Sequence, residues 1–551
     1  MPTIKCKNCG NDFAPASEDL NFYKKVNVPL PVLCPDCRQQ RRLCFRNERI
    51  LYKRKCDLCG AEMFSMYGAQ SPYKVYCPTC WYGDKWDPIS YGRDFDFSKP
   101  FFEQFEKFSA EVPLLSLYNK KCENCDYCNI EISSKNCYLC AAGFQSWDCY
   151  YGFWGITSKN CVDCFIYYEC ELCYECIDCK HCYNSAFLQD CRQLRDSAFC
   201  YDCAGCSNCM FCSNLRNVSY HVFNKPVSKE EFALLHAELN SYSGLIKAKK
   251  TFAEFKLKAP VRNMIIVNSE NCLGNYIYNC KNCQYCFDVS NDLRDCKYMY
   301  TVGYGLKDCM DGCYSWQGSQ LNYDCVSCES VFNGKFCLFC WGGVNDLTYC
   351  QFCQSSRNLF SCIGLRHKQY CILNKQYSKE EYEKLVPRII KHMERTAEWG
   401  EFFPSNLSHF GYNETVAQDY FPITRLKALT KGFNWQNNLP FTTGKETISL
   451  ENVPDKIQDA QDSICNEILA CESCKRNFKF IPQEIMFYKK IGMALPHLCY
   501  LCRHQEKIKL RNPRKLWDRP CSKCGANMRT VYSPERLEIV YCEKCYLREV
   551  Y

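Results

Sequence analysis

The central part of the chain carries small residues at every third position, and most of them are cysteine. Residues 122–212 contain 19 cysteines, and each residue number leaves remainder 2 on division by three. Many of these cysteines are 12 residues apart, as in Cys125, Cys137 and Cys149. A helix repeats every 3.6 residues and a strand every two, so neither explains the spacing. We therefore predict a mainly β, narrow solenoid with turns of about 12 residues, whose third positions point inward.

The inward positions that lack cysteine are mostly serine or glycine, with Glu131, Tyr167, Leu188 and Leu194 as exceptions. A second run, Cys272 to Cys371, has 15 cysteines and keeps the 12-residue step at Cys325/Cys337, Cys328/Cys340 and Cys350/Cys362. Its phase slips between blocks, which predicts inserted loops. Both runs end in similar text, FNKPVSKEEF and LNKQYSKEEY, 150 residues apart. Each S-K-E-E predicts a capping box that opens a helix, at Ser228 and Ser378.

The two ends of the chain are copies of one module. Eight cysteines near the N-terminus recur 465 residues later. Each copy holds two sets of paired C-x2-C turns, and four thiolates from two such turns suit tetrahedral zinc. We predict four closed zinc sites, which leave no coordination position for catalysis. The predicted ligands are Cys6, Cys9, Cys34, Cys37, Cys56, Cys59, Cys77, Cys80, Cys471, Cys474, Cys499, Cys502, Cys521, Cys524, Cys542 and Cys545.

A family resemblance rests on about 40 residues at each end. The segment CKNCGNDFAPASEDLNFYKKVNVPLPVLCPDCRQQRR and its copy CESCKRNFKFIPQEIMFYKKIGMALPHLCYLCRHQEK resemble the "probable zinc-ribbon" domain of uncharacterised bacterial proteins. That pattern has C-x2-C, an F-Y pair, a proline and C-P-x-C-R. The C-terminal copy lacks the C-P of the second knuckle. The resemblance implies zinc binding in a small zinc-ribbon or treble-clef-like module, and little about cellular role.

These patterns predict a multidomain chain with zinc modules at both ends, two solenoid halves and helical linkers. The predicted segments are a tandem zinc module at 1–90, a helical linker at 91–119, the first half-solenoid at 120–223, a helical insertion at 224–267, the second half-solenoid at 268–373, a helical and irregular linker at 374–462, and the duplicate zinc module at 463–551.

Positive charge concentrates beside the zinc ligands. Residues 38–55 carry eight basic residues against one acid, and residues 503–519 carry seven against two, although the whole chain is only +8. One interpretation is a helix that contacts nucleic-acid phosphates; the other is an ordinary solvated basic face. The candidate contacts are Arg38, Arg41, Arg42, Arg46, Arg49, Arg503, Lys507, Lys509, Arg511 and Arg514.

The cysteine content also bears on the compartment. The chain has 52 cysteines, but its first residues, MPTIKCKNCG, contain no apolar signal segment, and no run of 18 apolar residues predicts a membrane span. We therefore expect a reducing cytoplasm and no membrane partner. Three states stay open for the 36 cysteines outside the terminal sets: buried thiols, metal ligands or disulfides.

No pattern for catalysis is recognisable. The eight histidines show no metal-ligand spacing, and neither a phosphate-binding loop nor a dinucleotide fingerprint occurs. We expect a non-enzymatic protein without a small-molecule substrate. Three functions stay open: a nucleic-acid-binding zinc scaffold, a protein-interaction scaffold using the solenoid surface, and a thiol-rich metal store.

Overall fold

A computed structural model describes residues 3–314, 318–327, 329–338, 340 and 342–551. Cys328, which belongs to one predicted 12-residue step, lies outside the described residues. The chain forms two compact units, each built from two separate stretches. Unit 1 comprises residues 1–117 and 264–439, and unit 2 comprises residues 118–263 and 440–551. Each unit therefore combines one terminal cysteine module with one cysteine-rich run that is distant in sequence. Below, the first ladder means residues 120–223 and the second ladder means residues 268–373.

Unit 1 contains many short strands and several helices. Its strands are Ile4–Lys5, Asp12–Phe13, Tyr52–Lys55, Glu62–Ser65, Val75–Tyr76, Leu114–Leu115, Ile266–Val267, Leu273–Tyr278, Gln284–Ser290, Tyr300–Gly303, Val331–Lys335, Val344–Thr348, Arg357–Phe360, Gln369–Ile372 and Lys375–Gln376. Its α-helices are Ser17–Lys25, Pro35–Leu43, Pro78–Tyr82, Phe101–Glu111, Lys379–Arg395, Val416–Tyr420 and Arg425–Thr430.

Unit 2 has the same character. Its strands are Asn119–Lys120, Glu131–Ile132, Phe153–Ile156, Phe165–Tyr168, Glu171–Tyr174, Ile177–Lys180, Tyr183–Ala186, Ala198–Tyr201, Ser207–Ser213, Ser219–Val222, Lys225–Pro226, Pro260–Arg262, Leu469–Ala470, Asn477–Phe478, Trp517–Pro520, Asn527–Thr530 and Ile539–Tyr541. Its α-helices are Lys229–Ala237, Tyr242–Lys256, Pro482–Ile491, Tyr500–Leu510 and Glu543–Val550.

In the first ladder, parallel backbone pairing follows the 12-residue step of the cysteines. Tyr167 pairs with Cys179, and Cys200 pairs with Cys212. Isolated bridges continue the same offset, for example between Glu123 and Lys135. Most of the ladder cysteines are buried in one cluster. Their thiols lie beside backbone carbonyls: Cys161 Sγ is 3.3 Å from the oxygen of Lys159 and 3.4 Å from that of Cys170.

The residue before each cysteine position makes these short turns. It lies in the left-handed region of the backbone, with φ of 50° at Asn124, 53° at Asn136 and 53° at Asp148. Asn and Asp tolerate this conformation better than other non-glycine residues, but Tyr127 and Leu139 adopt it as well. Each such residue costs about 1–2 kcal/mol, which the parallel hydrogen bonds and the buried side chains offset.

The large inward residues of the first ladder are matched by glycines. A Cβ atom on Gly155 would lie 2.4 Å from the ring of Tyr167, and one on Gly143 would lie 2.4 Å from the Glu131 carboxylate. The ladder interior therefore holds a tyrosine or a glutamate only where a neighbouring turn supplies a glycine.

The second ladder absorbs its change of phase within the turns. Phe287 pairs with Tyr300, and Gly334 pairs with Leu347, each 13 residues on. The expectation of inserted loops is wrong at these steps, because the strands pair directly across them. Larger inward residues such as Leu293, Met299 and Leu306 fill this part of the ladder, as a turn longer by one residue encloses more space.

Candidate metal centres

The cysteines of the two modules come together in four groups of four. Within each group all the sulfur atoms lie within 4.8 Å of one another, so each group could hold a metal ion. The groups are Cys6, Cys9, Cys34 and Cys37; Cys56, Cys59, Cys77 and Cys80; Cys471, Cys474, Cys499 and Cys502; and Cys521, Cys524, Cys542 and Cys545. The structure thus brings together all sixteen residues that were predicted as ligands, in the predicted sets.

Each group joins a β-turn to the start of a helix. In the first group, the Gly10 amide donates to the Cys6 carbonyl at 2.9 Å and closes the first turn. Cys34 is the N-cap residue of helix Pro35–Leu43, and its amide donates to Cys6 Sγ at 3.3 Å. Cys37 then lies in the first helical turn, where backbone amides and the helix dipole favour a thiolate. The other groups repeat this plan, with Cys77, Cys499 and Cys542 as N-caps.

The sulfur spacing fits a tetrahedral metal ion. Four sulfurs at about 2.3 Å from a central ion lie about 3.8 Å apart along each tetrahedral edge. The measured separations are 3.8 Å for Cys9–Cys34, 3.9 Å for Cys59–Cys77, 3.7 Å for Cys474–Cys499 and 3.9 Å for Cys524–Cys542. Four thiols are therefore already arranged at the distances that a metal ion requires.

One thiol in each group has a lowered pKa. Hydrogen bonding from Cys37 lowers the pKa of Cys34 to about 5, and hydrogen bonding from Cys499 lowers that of Cys471 to about 4. Burial raises the pKa of Cys56 and Cys521, but backbone amides outweigh it, so the values fall to about 7 and about 6. Each group thus holds one thiol that ionises readily and can begin metal binding.

The turns after the second cysteine need a left-handed residue. Gly10 and Gly60 have φ of 74°, and Gly525 has φ of 73°. Lys475, which departs from glycine at the equivalent position, nevertheless adopts φ of 60°. The C-terminal module therefore keeps the turn geometry, with the added cost of a side chain in that region.

The basic residues of the N-terminal module are not displayed to solvent. Arg38 is buried and its Nε donates to Asp311 at 3.0 Å, while its Nη1 donates to the carbonyl of Leu33 at 2.7 Å. Arg42 is fully buried, with Nη1 2.6 Å from Asp324 and 3.5 Å from Asp311. Both acids belong to the second ladder. Helix Pro35–Leu43 therefore packs its cations against that ladder.

The neighbouring arginines are also paired within unit 1. Arg41 contacts Asp324 at 3.0 Å and Glu401 at 2.9 Å. Arg46 pairs with Glu48 and lies 3.6 Å above the ring of Tyr314. Arg49 pairs with Asp419. These contacts are internal, so the expectation that these five arginines face nucleic-acid phosphates is wrong.

The C-terminal module repeats the arrangement within unit 2. Arg503 is buried, with Nε 2.8 Å from Asp163 of the first ladder, and Lys507 lies 3.5 Å from the same carboxylate. Arg511 forms a two-point contact with Asp178, at 2.6 and 3.0 Å. These three residues are likewise unavailable as phosphate contacts. Of the residues predicted for that role here, Lys509 is exposed and Arg514 is half-buried.

The acidic partners escaped the sequence analysis. Asp163, Asp178, Asp311 and Asp324 all lie at left-handed ladder positions, with φ between 54° and 66°. An acid directly before the inward position was their only sequence signal, and many exposed ladder residues share it. Which of them faces a module depends on which stretches of chain associate, and local sequence does not determine that.

Comparisons with known proteins add little. No family model matches the chain, and no curated protein matches it. One solved structure, from Desulfovibrio desulfuricans G20 and named as an acetyltransferase, aligns at 7% identity over 44% of this chain. The alignment spans 64% of that structure, and its TM-score is 0.11. Among the described residues, the helices are too short or too polar to span a bilayer.

Proposed function

We propose that the protein is a zinc-binding, non-enzymatic scaffold with four structural zinc sites. The single observation that supports this is the set of four cysteine groups, whose sulfurs lie close together at separations suited to a tetrahedral ion. Zinc is the metal typical of four cysteine thiolates from paired C-x2-C turns. Such a site is closed, so the metal would hold the fold together and leave no position for a substrate.

The zinc would act on folding through the helices that it anchors. Helix Pro35–Leu43 begins at the ligand Cys34, and helix Tyr500–Leu510 begins at the ligand Cys499. In both helices the residue after the last ligand, Arg38 or Arg503, is buried against a ladder carboxylate. Metal binding by small modules usually supplies their folding free energy. We therefore propose that zinc orders the modules, and that the modules brace two halves of a narrow solenoid.

For the partner we propose protein in preference to nucleic acid. The basic residues that suggested phosphate binding are mostly buried in ion pairs, whereas aromatic residues of the first ladder are exposed. Trp147 is 50% exposed and Tyr183 is 40% exposed. Trp and Tyr are enriched in protein interfaces because they bury a large area at low entropic cost. The resemblance of the modules to zinc ribbons is compatible with either partner and stays a proposal.

Elemental analysis and X-ray absorption of the purified chain test the metal proposal. We expect four zinc ions per chain, each with four sulfur neighbours at about 2.3 Å. A large, readily exchanged excess of metal would instead support a thiol-rich store.

Titration with single-stranded and duplex oligonucleotides tests the alternative partner. Binding that weakens steeply with salt, and that is lost in Lys509→Glu, would favour nucleic acid. The matched variant Trp147→Ser with Tyr183→Ser should leave such binding unchanged, but should abolish binding of a protein partner.

A further inference from the structure

Few thiols outside the terminal groups reach solvent. Among the described residues, most ladder cysteines are buried, whereas Cys122, Cys125, Cys272 and Cys465 are half-buried. A dissolved oxidant or alkylating agent can react only with sulfur that it can reach. Solvent access therefore limits thiol chemistry at the ladders to these few positions.

Two of the accessible thiols are neighbours at the start of the first ladder. Cys122 and Cys125 are separated by two residues, and their side chains hydrogen-bond to each other. Cys122 Sγ lies 3.2 Å from the carbonyl oxygen of Glu131, and Cys125 Sγ lies 3.4 Å from that of Ser134. The carbonyls of the next turn therefore hold both sulfurs at the open edge of the thiol core.

The surroundings make Cys122 the more reactive of the two. The hydrogen bond from Cys125, aided by backbone amides, lowers the pKa of Cys122 to about 7, whereas the pKa of Cys125 is raised, first of all by Cys122. At neutral pH about half of Cys122 is then thiolate, the form that attacks peroxides and disulfides. Other ladder thiols with lowered pKa, such as Cys182 and Cys212, are buried.

The second ladder supplies an internal comparison. Cys272 stands 150 residues after Cys122, but Asn275 occupies the position that corresponds to Cys125. The Asn275 side chain accepts a hydrogen bond from the Ile265 amide at 2.8 Å. Cys283, followed by burial, raises the pKa of Cys272. Cys272 is thus similarly accessible but lacks the neighbouring thiol at that position and the activation.

We propose that Cys122 and Cys125 form an oxidisable dithiol, in which Cys122 attacks and Cys125 resolves. The Cys122 thiolate attacks one oxygen of a hydroperoxide, forming a sulfenic acid and releasing hydroxide or alkoxide. The Cys125 thiol then attacks the sulfenic sulfur, so that a disulfide forms and water leaves. Two thiols are oxidised by two electrons, and the hydroperoxide is the species reduced. The site does not depend on the proposed zinc function, because neither cysteine is a metal ligand.

Site-resolved labelling of the folded, metal-loaded full chain tests the proposal without any variant. Brief alkylation with iodoacetamide at pH 7 should modify Cys122 about tenfold or more faster than Cys272, because thiolate fraction controls the rate. After hydrogen peroxide, the tryptic peptide 122–135 should lose two hydrogens, with fragment ions placing the disulfide between Cys122 and Cys125. Equal labelling of Cys122 and Cys272, or a peptide that keeps all its thiols, would overturn the proposal.

A variant separates the two chemical steps. In Cys125→Ser, dimedone should trap a sulfenic acid at Cys122 after peroxide treatment, while Cys272→Ser should behave like the wild-type chain. Serine already occupies many inward ladder positions, so the substitution is compatible with the fold. Dimedone adducts on Cys128 in place of Cys122, or no adduct at all in a folded Cys125→Ser chain, would contradict the assigned roles.

Discussion

Replacement of Arg38 by methionine should selectively destabilise the N-terminal module. Arg38 is buried, contacts Asp311 at 2.9 Å and also donates to the Leu33 carbonyl beside the metal ligand Cys34. In Arg38→Met the Asp311 carboxylate stays buried, and its nearest remaining cation is Arg42 at 3.5 Å. Removing one partner of a buried ion pair costs about 3–5 kcal/mol. By that figure, amides of helix Pro35–Leu43 should exchange hydrogen about 10²–10⁴ times faster.

Native-state hydrogen exchange with mass spectrometry provides the assay, because it reports on one helix of a two-unit chain. Lys25→Met is the matched control: Lys25 contacts Asp308 of the same ladder at 3.1 Å, but the lysine is half-exposed. Exposed pairs contribute about 0–1 kcal/mol, so the control should exchange almost as the wild type does. Equal effects of the two substitutions would refute the claim that the buried pair holds the module.

The same variant should show a characteristic pH dependence. Burial already raises the pKa of Asp311 above its ordinary value, despite the opposing influence of Arg38 and Arg42. Without Arg38 the pKa should rise further. The folded state then binds a proton that the unfolded state releases, so stability falls as pH rises through the folded pKa. The defect of Arg38→Met should therefore be smaller at pH 6 than at pH 8, and a defect independent of pH would point to lost packing alone.

Three other predictions concern the ladder, a buried histidine and the metal. Gly155→Ala should destabilise the first ladder by about 1–3 kcal/mol in urea unfolding, because its Cβ would lie 2.4 Å from the Tyr167 ring; Tyr167→Ser should relieve the defect, and an additive double variant would contradict this. Burial lowers the pKa of His409 to about 4, so stability should fall as pH drops below about 6.5, the unfolded value; His409→Phe should remove that component, and an unchanged pH profile would show that His409 does not cause it. A strong chelator should unfold helices Pro35–Leu43 and Tyr500–Leu510 by circular dichroism and hydrogen exchange, and retained protection of both helices would argue against metal-dependent folding.

Sequence reasoning worked best where chemistry and spacing are local. A C-x2-C turn needs only a few residues to point two sulfurs the same way, so all four ligand sets could be read from spacing. The helix cap at Ser378 was equally local: its side chain accepts from the Glu381 amide, and the Glu381 carboxylate accepts from the Ser378 amide. The period of three in the cysteines also reappears as the 12-residue register of the first ladder.

It failed where the outcome depends on distant contacts. The charge beside the ligands looked like an exposed basic face, because nothing near Arg38 or Arg503 in sequence reveals Asp311 or Asp163. The phase slips in the second ladder suggested loops, but one additional residue per turn and larger inward side chains explain them. The left-handed residue before each inward position was also missed, because Tyr127 and Leu139 occupy it as well as Asn and Asp.

Native mass spectrometry of the full chain, run beside the same sample after acid denaturation, tests the central claim most directly. The account predicts a folded species heavier than the denatured chain by four zinc ions, less the protons that the ligand thiols release. Substitution of Cys9 by serine should weaken or remove one zinc, and the equivalent change at Cys474 another. A compact chain that carries no metal would contradict the account.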